Sequence, residues 1–227
     1  MPGNGCRSSR KEKLTMTNPI VYGPSYSAYV RTTRLALEEK GIDYDLVDVA
    51  MMTGAHKQPD FLRRNPFGKL PAFAHDGLTL YETGSITRYV DRALPGPALQ
   101  PMDTKALARV DQVMSIVDSF AYPCMIQLAW QRLVVPMQGG TPDEAVVAAC
   151  LPQVTLCLAE FARLLGGDPW FGGASISLAD LHVAPILSYV GATPEGTELL
   201  GRHPTLQSWL GRIAERPSMA KTAPQFG

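Results

Sequence analysis

Hydrophobic and polar positions repeat first with the short period of strands and then, for most of the chain, with the period of helices. Ile20-Val21-Tyr22 is an apolar run closed by Gly23 and Pro24, which predicts a strand. From Ser27 the register of Val30, Arg34 and Leu37 predicts a helix, and Gly41 sits where a left-handed cap commonly ends one. Residues 44–50 alternate as a second strand, and 58–64 read as a short helical turn stopped by Asn65-Pro66. The apolar runs 70–74 and 78–81 flank His75-Asp76-Gly77, and Asp-Gly between such runs predicts a hairpin. Ser85, Ile86, Tyr89 and Val90 then open a helix that stops before Pro95. The order β-α-β-α-β-β-α predicts a small mixed sheet with helices on its faces.

Proline and glycine crowd residues 95–101, the clearest linker in the chain. Beyond it the pattern is wholly helical. Leu107, Val110, Met114, Val117 and Ala121 recur at helical steps and continue to Trp130, with a kink expected at Pro123 and an end at Pro136. Thr141-Pro142-Asp143-Glu144 predicts a cap at Thr141 and a helix to Leu165, kinked at Pro152. Ser177-Leu178-Ala179-Asp180 repeats the capping logic, and 204–216 forms a last helix closed by Pro217. The chain therefore divides into a disordered tail (1–17), an α/β domain (18–95), a linker (96–103) and an all-α domain (104–227).

Composition narrows the function classes. Twenty-one basic residues balance 21 acidic ones, which removes the electrostatic reason to propose nucleic acid or an anionic membrane as partner. No apolar run is expected to approach the roughly 20 residues a bilayer span needs. The four cysteines (Cys6, Cys124, Cys150, Cys157) have no paired spacing, and the last three lie in helical patterns, as expected of reduced, buried thiols in a reducing compartment. His56, His75, His182 and His203 are scattered, so no metal site is proposed. Before Met16 the chain is polar and basic, without the apolar core of a secretion signal; it reads as a tail or as following an upstream alternative start.

Two stretches offer chemistry. In Asn65-Pro66-Phe67-Gly68-Lys69-Leu70-Pro71-Ala72-Phe73 a turn leads into a strand that begins on proline, a place where a cis peptide is cheap. A cis Leu70–Pro71 bond would turn the Leu70 backbone out of the sheet, free to pair with an extended peptide as an added strand does. Ser27 opens the first helix, where the partial positive charge of the helix end stabilises an anion. Lowering a thiol pKa by about two units takes roughly 2.7 kcal/mol, which a hydroxyl donor and a helix end together can supply. Ser27 thus suits a thiolate brought by a substrate, although the commoner job of a serine there is an ordinary helix N-cap.

Ser27-Ala28-Tyr29-Val30 lies where a glutaredoxin carries Cys-Pro-Tyr-Cys, but without a cysteine the chain has no disulfide exchange of its own. From about Asn18 it resembles instead a cytosolic glutathione S-transferase of the serine type, closest to the phi class and related bacterial forms. The resemblance rests on Ser27 with Arg31; Gly54-Ala55-His56-Lys57; the Asn65–Pro71 stretch; Glu82-Thr83-Gly84-Ser85-Ile86; and Ser177-Leu178-Ala179-Asp180, in that order. It implies a thioredoxin-like domain that binds glutathione and a helical domain that holds a small hydrophobic electrophile, in a cytoplasmic homodimer serving detoxification. Ser27 would donate to the glutathione sulfur, and Leu70 would pair with the cysteinyl backbone. His56, Lys57 and Lys69 would lie near the glycyl carboxylate; Glu82 and Thr83 would hold the γ-glutamyl end. The family usually has serine where Thr83 stands; the hydroxyl survives.

Each residue also has a plainer reading. Lys57 and Lys69 read as surface lysines, Glu82 as a first-turn acid, Asp180 as the cap of its own helix. Tyr122, Met125 and Trp130 read as core packing, and Phe226 as either a pocket lid or a disordered end. Ser25, Tyr26 and Tyr22 compete with Ser27 as sulfur donor, Tyr22 reading best as sheet packing. A glutathione-dependent isomerase, peroxidase, lyase or dehalogenase, or a non-enzymatic binder of the same fold, are the rival functions.

Overall fold

The structure, a computed structural model, describes residues 17–224. The tail over 1–16 and Phe226 lie outside the described residues; Thr17 donates from its N–H and hydroxyl to Asp76 Oδ1, at 3.3 and 2.8 Å.

The first half follows the expected order: β1 (Ile20–Tyr22), α1 (Ala28–Lys40), β2 (Asp45–Val47), α2 (Pro59–Leu62), β3 (Ala72–His75), β4 (Leu78–Tyr81) and α3 (Thr83–Ala93). The sheet order is β2-β1-β3-β4, with β1 and β2 parallel and the other pairs antiparallel. This is a thioredoxin-like sheet. Gly41 closes α1 in a Schellman motif: at φ +69° its N–H bonds Glu38 O, and Ile42 N–H bonds Leu37 O. Asp76 and Gly77 both have positive φ, as a tight hairpin turn requires. Two strands are shorter than expected. After Val47 the chain leaves the sheet for two single 3₁₀ turns, and the β3 ladder starts only at Ala72, because Pro71 has no N–H to give it.

The second half comprises α4 (Thr104–Ile116), α5 (Tyr122–Ala129), α6 (Val135–Met137), α7 (Glu144–Leu165), α8 (Leu178–Gly191), α9 (Pro194–Gly201), α10 (Pro204–Ala214) and α11 (Pro217–Lys221). Instead of a bare kink at Pro123, one widened π turn (Val117–Ala121) joins α4 to α5, and a second (Trp130–Val134) joins α5 to α6. Tyr122 N–H bonds Val117 O and Val135 N–H bonds Trp130 O, five residues back, and a proline follows each. Asp143, not Thr141, caps α7: its carboxylate takes the Ala145 and Val146 N–H groups at 2.9 and 3.2 Å. Pro217 does not merely close α10; it opens α11, as prolines open α9 and α10. One expectation fails outright. α7 is 22 residues long with a window of mean hydropathy 1.8, enough by length and composition to cross a membrane. Val147, Val154, Leu158 and Phe161 on it are buried in the core, which marks it as the core helix of this half.

Asp180 is fully buried in the capping box of α8. Besides Ser177 N–H and Oγ, it accepts from Phe171 N–H and Trp209 Nε1 at 2.8–2.9 Å, so its duty is structural. Cys150 and Cys157 are buried, Cys124 is half-buried, and all three are free thiols.

Candidate active site

The Asn65–Lys69 loop is built around one buried side chain. Asn65 accepts from Phe67 N–H at 3.1 Å through Oδ1 and donates to Lys69 O at 2.8 Å through Nδ2. That closes the loop and leaves Gly68 at φ +56°, where a Cβ would stand 2.9 Å from His56 O and 3.0 Å from the Lys57 amine. Only glycine lets the loop come this close, and so His56, Lys57 and Lys69 converge. His56 is held below the usual imidazole range by burial and then by Lys57 and Lys69. Its Nδ1 is buried without a protein partner among the described residues. The Leu70–Pro71 peptide is cis, with Leu70 two residues outside the β3 ladder.

Opposite this cluster in the chain, Glu82 has φ +67° in front of α3. A non-glycine residue there is under strain of the kind that gathers at functional sites. Its carbonyl starts the helix by accepting from Ser85 and Ile86 N–H groups, while Thr83 is buried behind it. Ser27 caps α1, but loosely: Oγ accepts from Val30 N–H at 3.5 Å.

All seven residues expected at the site, Ser27, His56, Lys57, Lys69, Leu70, Glu82 and Thr83, line a single polar cavity of about 460 Å³. A second cavity of about 300 Å³ adjoins it, walled by Met51, Ile126, Leu133, Trp130 and Tyr189 among others. Ser27, Met51 and Tyr122 line both. Ser27 therefore stands where a polar and an apolar chamber meet. Of its competitors, Tyr26 lines the apolar chamber, whereas Ser25 and Tyr22 line neither; the Tyr22 ring lies 4.6 Å under the Arg64 guanidinium.

Three readings need correction or addition. Tyr122 and Trp130 are half-buried and wall the cavities, Tyr122 packing against the core as well, whereas Met125 is fully buried in it. Tyr29 and Asp118, unremarked in the sequence, also line the polar cavity, joined by a 2.8 Å hydrogen bond across 89 residues of chain. Arg31 is buried and donates to Met219 O and Thr222 Oγ1, fastening α11 to α1. Among the described residues, no group of three or more His, Cys, Asp or Glu side chains is placed to hold a metal.

A thioredoxin-like sheet with a cis proline beside a polar cavity, joined to a helical domain with which it shares an apolar one, defines a two-domain protein with two adjoining chambers of different character. Residues 19–92 match the glutathione S-transferase N-terminal domain and residues 121–217 the glutathione S-transferase C-terminal domain. Glutathione S-transferase 3 of Zea mays is 34% identical over 204 residues, covering 89% of this chain and 91% of that protein. Among solved structures, glutathione transferase F7 from Populus trichocarpa matches with a TM-score of 0.82 at 30% identity, covering 90% of this chain and 97% of that one. Glutathione S-transferase I from mais, in complex with an atrazine glutathione conjugate, matches at 0.80 and 31%, covering 91% and 97%. The chain belongs to the glutathione S-transferase family.

Proposed function

We propose that this glutathione transferase works as a serine-type enzyme, conjugating glutathione to a small apolar electrophile in the cytosol as a homodimer. The observation that carries the reading is the meeting of the two cavities at Ser27. Glutathione lies extended in the polar one. Its glycyl carboxylate faces His56, Lys57 and Lys69, its cysteinyl backbone pairs with Leu70, and its γ-glutamyl end meets Glu82 and Thr83. The Ser27 hydroxyl and the N-terminus of α1 stabilise the thiolate. The thiol proton leaves to solvent, the sulfur forms a bond to the electrophilic carbon, and the leaving group departs with the electron pair of the bond it breaks. Holding both reactants at one junction supplies the rest of the acceleration. The conjugate bound by the mais enzyme supports this assignment of the two chambers. Free cysteines support a reducing compartment, and Phe67, 64% exposed at the tip of the site loop, supports a partner subunit there. Turnover of a generic aryl halide with glutathione tests the activity, followed by a panel of isomerase, peroxidase, lyase and dehalogenase substrates; no turnover of any of them would overturn it.

A further inference from the structure

Three cysteines that conjugation does not use meet inside the helical half. α5 packs along α7, bringing Cys124 on α5 against Cys150 and Cys157 on α7. Seven residues apart, Cys150 and Cys157 share one side of their helix. The Cys124 thiol stands 3.4 and 3.2 Å from Phe120 O and Ala121 O and also reaches the Cys157 sulfur. Gln153 Nε2 donates to that same sulfur at 3.5 Å. Two donors converging on one sulfur favour its thiolate. Donation from Cys124 holds Cys157 below the ordinary thiol range against its burial, and the same contact, with burial, holds Cys124 above it. Burial raises Cys150, which stays a thiol. The pair also sits behind the apolar chamber. At 3.6 residues per turn Tyr122, Ile126 and Ala129, which line that chamber, share one side of α5, and Cys124 falls on the other. A π turn joins α5 to its neighbour at each end, a helix irregularity that gathers at functional sites.

We propose that Cys124 and Cys157 are a redox modification site: peroxide joins them in a reversible disulfide, which draws α5 towards α7 and pulls the chamber wall back from the electrophile. The Cys157 thiolate takes one oxygen of hydrogen peroxide; an S–O bond forms, the O–O bond breaks, and the departing hydroxide is protonated to water. The Cys124 sulfur then bonds to Cys157 as the S–O bond breaks, and the second hydroxide leaves as water with the Cys124 proton. Two electrons pass from the sulfurs to the peroxide. Two molecules of glutathione return both thiols and are themselves oxidised to the disulfide. In a reducing compartment such a bond is transient, as redox sensing requires. A disulfide holds its sulfurs about 2 Å apart, inside any non-bonded contact, so one helix moves when it forms. α7 is held in the core by Val147, Val154, Leu158 and Phe161, and α5 is the helix that gives. The effect on the electrophile rests on the conjugation reading above; the disulfide does not.

Hydrogen peroxide treatment of the full chain carrying Cys6→Ser, which removes the thiol of the tail, tests it. Remaining thiols are alkylated in denaturant, and the unreduced peptides are mapped by mass. The expected product is one linked pair carrying Cys124 and Cys157, lighter by the two thiol hydrogens, with Cys150 alkylated. The oxidised protein should show a KM for the electrophile raised about fourfold, the weight of roughly one methylene of apolar contact, and dithiothreitol should restore it. Adding Cys157→Ser should abolish the link and hold KM steady through the same treatment; Cys157→Ala stands in if the serine variant folds poorly. A Cys124–Cys150 link, a link between chains, or sulfinic acid without a link overturns the proposal. So does a KM that rises equally in the Cys157 variant, or a link that leaves KM where it was. A protein that forms the link yet turns over no electrophile, oxidised or reduced, sinks the conjugation reading and leaves the disulfide standing.

Discussion

Replacing Ser27 by alanine separates its cap from the proposed bond to the glutathione thiolate, because the structure makes the cap weak. The cap bond to Val30 N–H is 3.5 Å long, so its loss should cost about 0.5 kcal/mol, the low end for an N-cap, and lower Tm by about 1–2 °C. The hydroxyl's bond to a bound thiolate is another matter: a hydrogen bond to a charged acceptor contributes about 1.5–3 kcal/mol. At 1.36 kcal/mol per unit, that raises the bound thiol pKa by about one to two units. Starting from a bound value of about 6.5, two units below an ordinary thiol, the thiolate fraction at pH 7 falls from roughly three-quarters to between a quarter and a few per cent. Conjugation at pH 7 should therefore slow roughly 3- to 25-fold. Near pH 9 most of the loss should disappear, since both proteins then hold thiolate and the more basic sulfur is the better nucleophile. The assay is thiolate absorbance and kcat, each titrated from pH 5.5 to 9.5 with glutathione saturating. Superimposable titrations for the two proteins, or a rate deficit that does not change with pH, would refute the assignment.

Further perturbations probe the frame around the site. Gly68→Ala places a Cβ against the His56 carbonyl at positive φ; it should cost about 1–2 kcal/mol in urea unfolding and raise the KM for glutathione with little change in that for the electrophile. Arg132 clamps the wall that supplies Trp130, Leu133 and Val134: it binds Glu144 with both Nη atoms at 2.6–2.7 Å and Glu195 through Nε at 2.8 Å. Arg132→Met should raise the electrophile KM roughly fivefold, about 1 kcal/mol of lost apolar contact, and leave the KM for glutathione unchanged. His182 is buried, donates Nδ1–H to Leu178 O, and is pushed down to about 4, chiefly by burial. The unfolded chain takes up that proton first, at the ordinary value of about 6.5. Stability is therefore whole above about pH 6.5 and should fall by up to about 3 kcal/mol as pH drops through 4. Urea midpoints at pH 7 and 4.5 check it, and His182→Leu should flatten the difference.

What the sequence revealed is what short-range chemistry controls. Gly41, Asp76-Gly77 and the Ser177–Asp180 box each need their residue type for a local reason, and each sits as the pattern predicts. The site loop is legible for the same reason: Asn65, Gly68 and Pro71 do their work within a few residues of one another. Where two capping candidates lay side by side the pattern chose wrongly, because Asp143 takes two N–H groups with a full charge while Gln131 Oε1 holds its own N–H at 2.8 Å. The Tyr29–Asp118 pair left no trace, since neither residue has a periodic or turn-forming role and their meeting depends on how the two halves dock. The π turns were hidden too: a proline in a helix announces a disturbance without saying which way the chain will turn.

The same limit explains why α1 misleads. Its sequence, with Arg31, Thr32, Thr33 and Arg34 in a row, looks like a helix with a solvent face, yet ten of its 13 residues are buried. A helix is buried all round only when something packs on each side, and here β1, α3, α8 and α11 all pack on it. The polar residues stay buried because each finds acceptors: from the second half, Met219 O takes Arg31 at 3.2 Å and Lys221 O takes Arg34 at 3.0 Å, while Tyr44 OH of the first half takes Arg34 Nε at 2.9 Å. At the other end of the helix, Tyr29 is stacked on Tyr122 and Ser27 opens onto both cavities. One helix thus carries the hydroxyl at its N-terminus and holds the helical half along its length. Residues of both halves line both cavities, which is why a fold divided into two domains by its sequence has a site that belongs to neither alone.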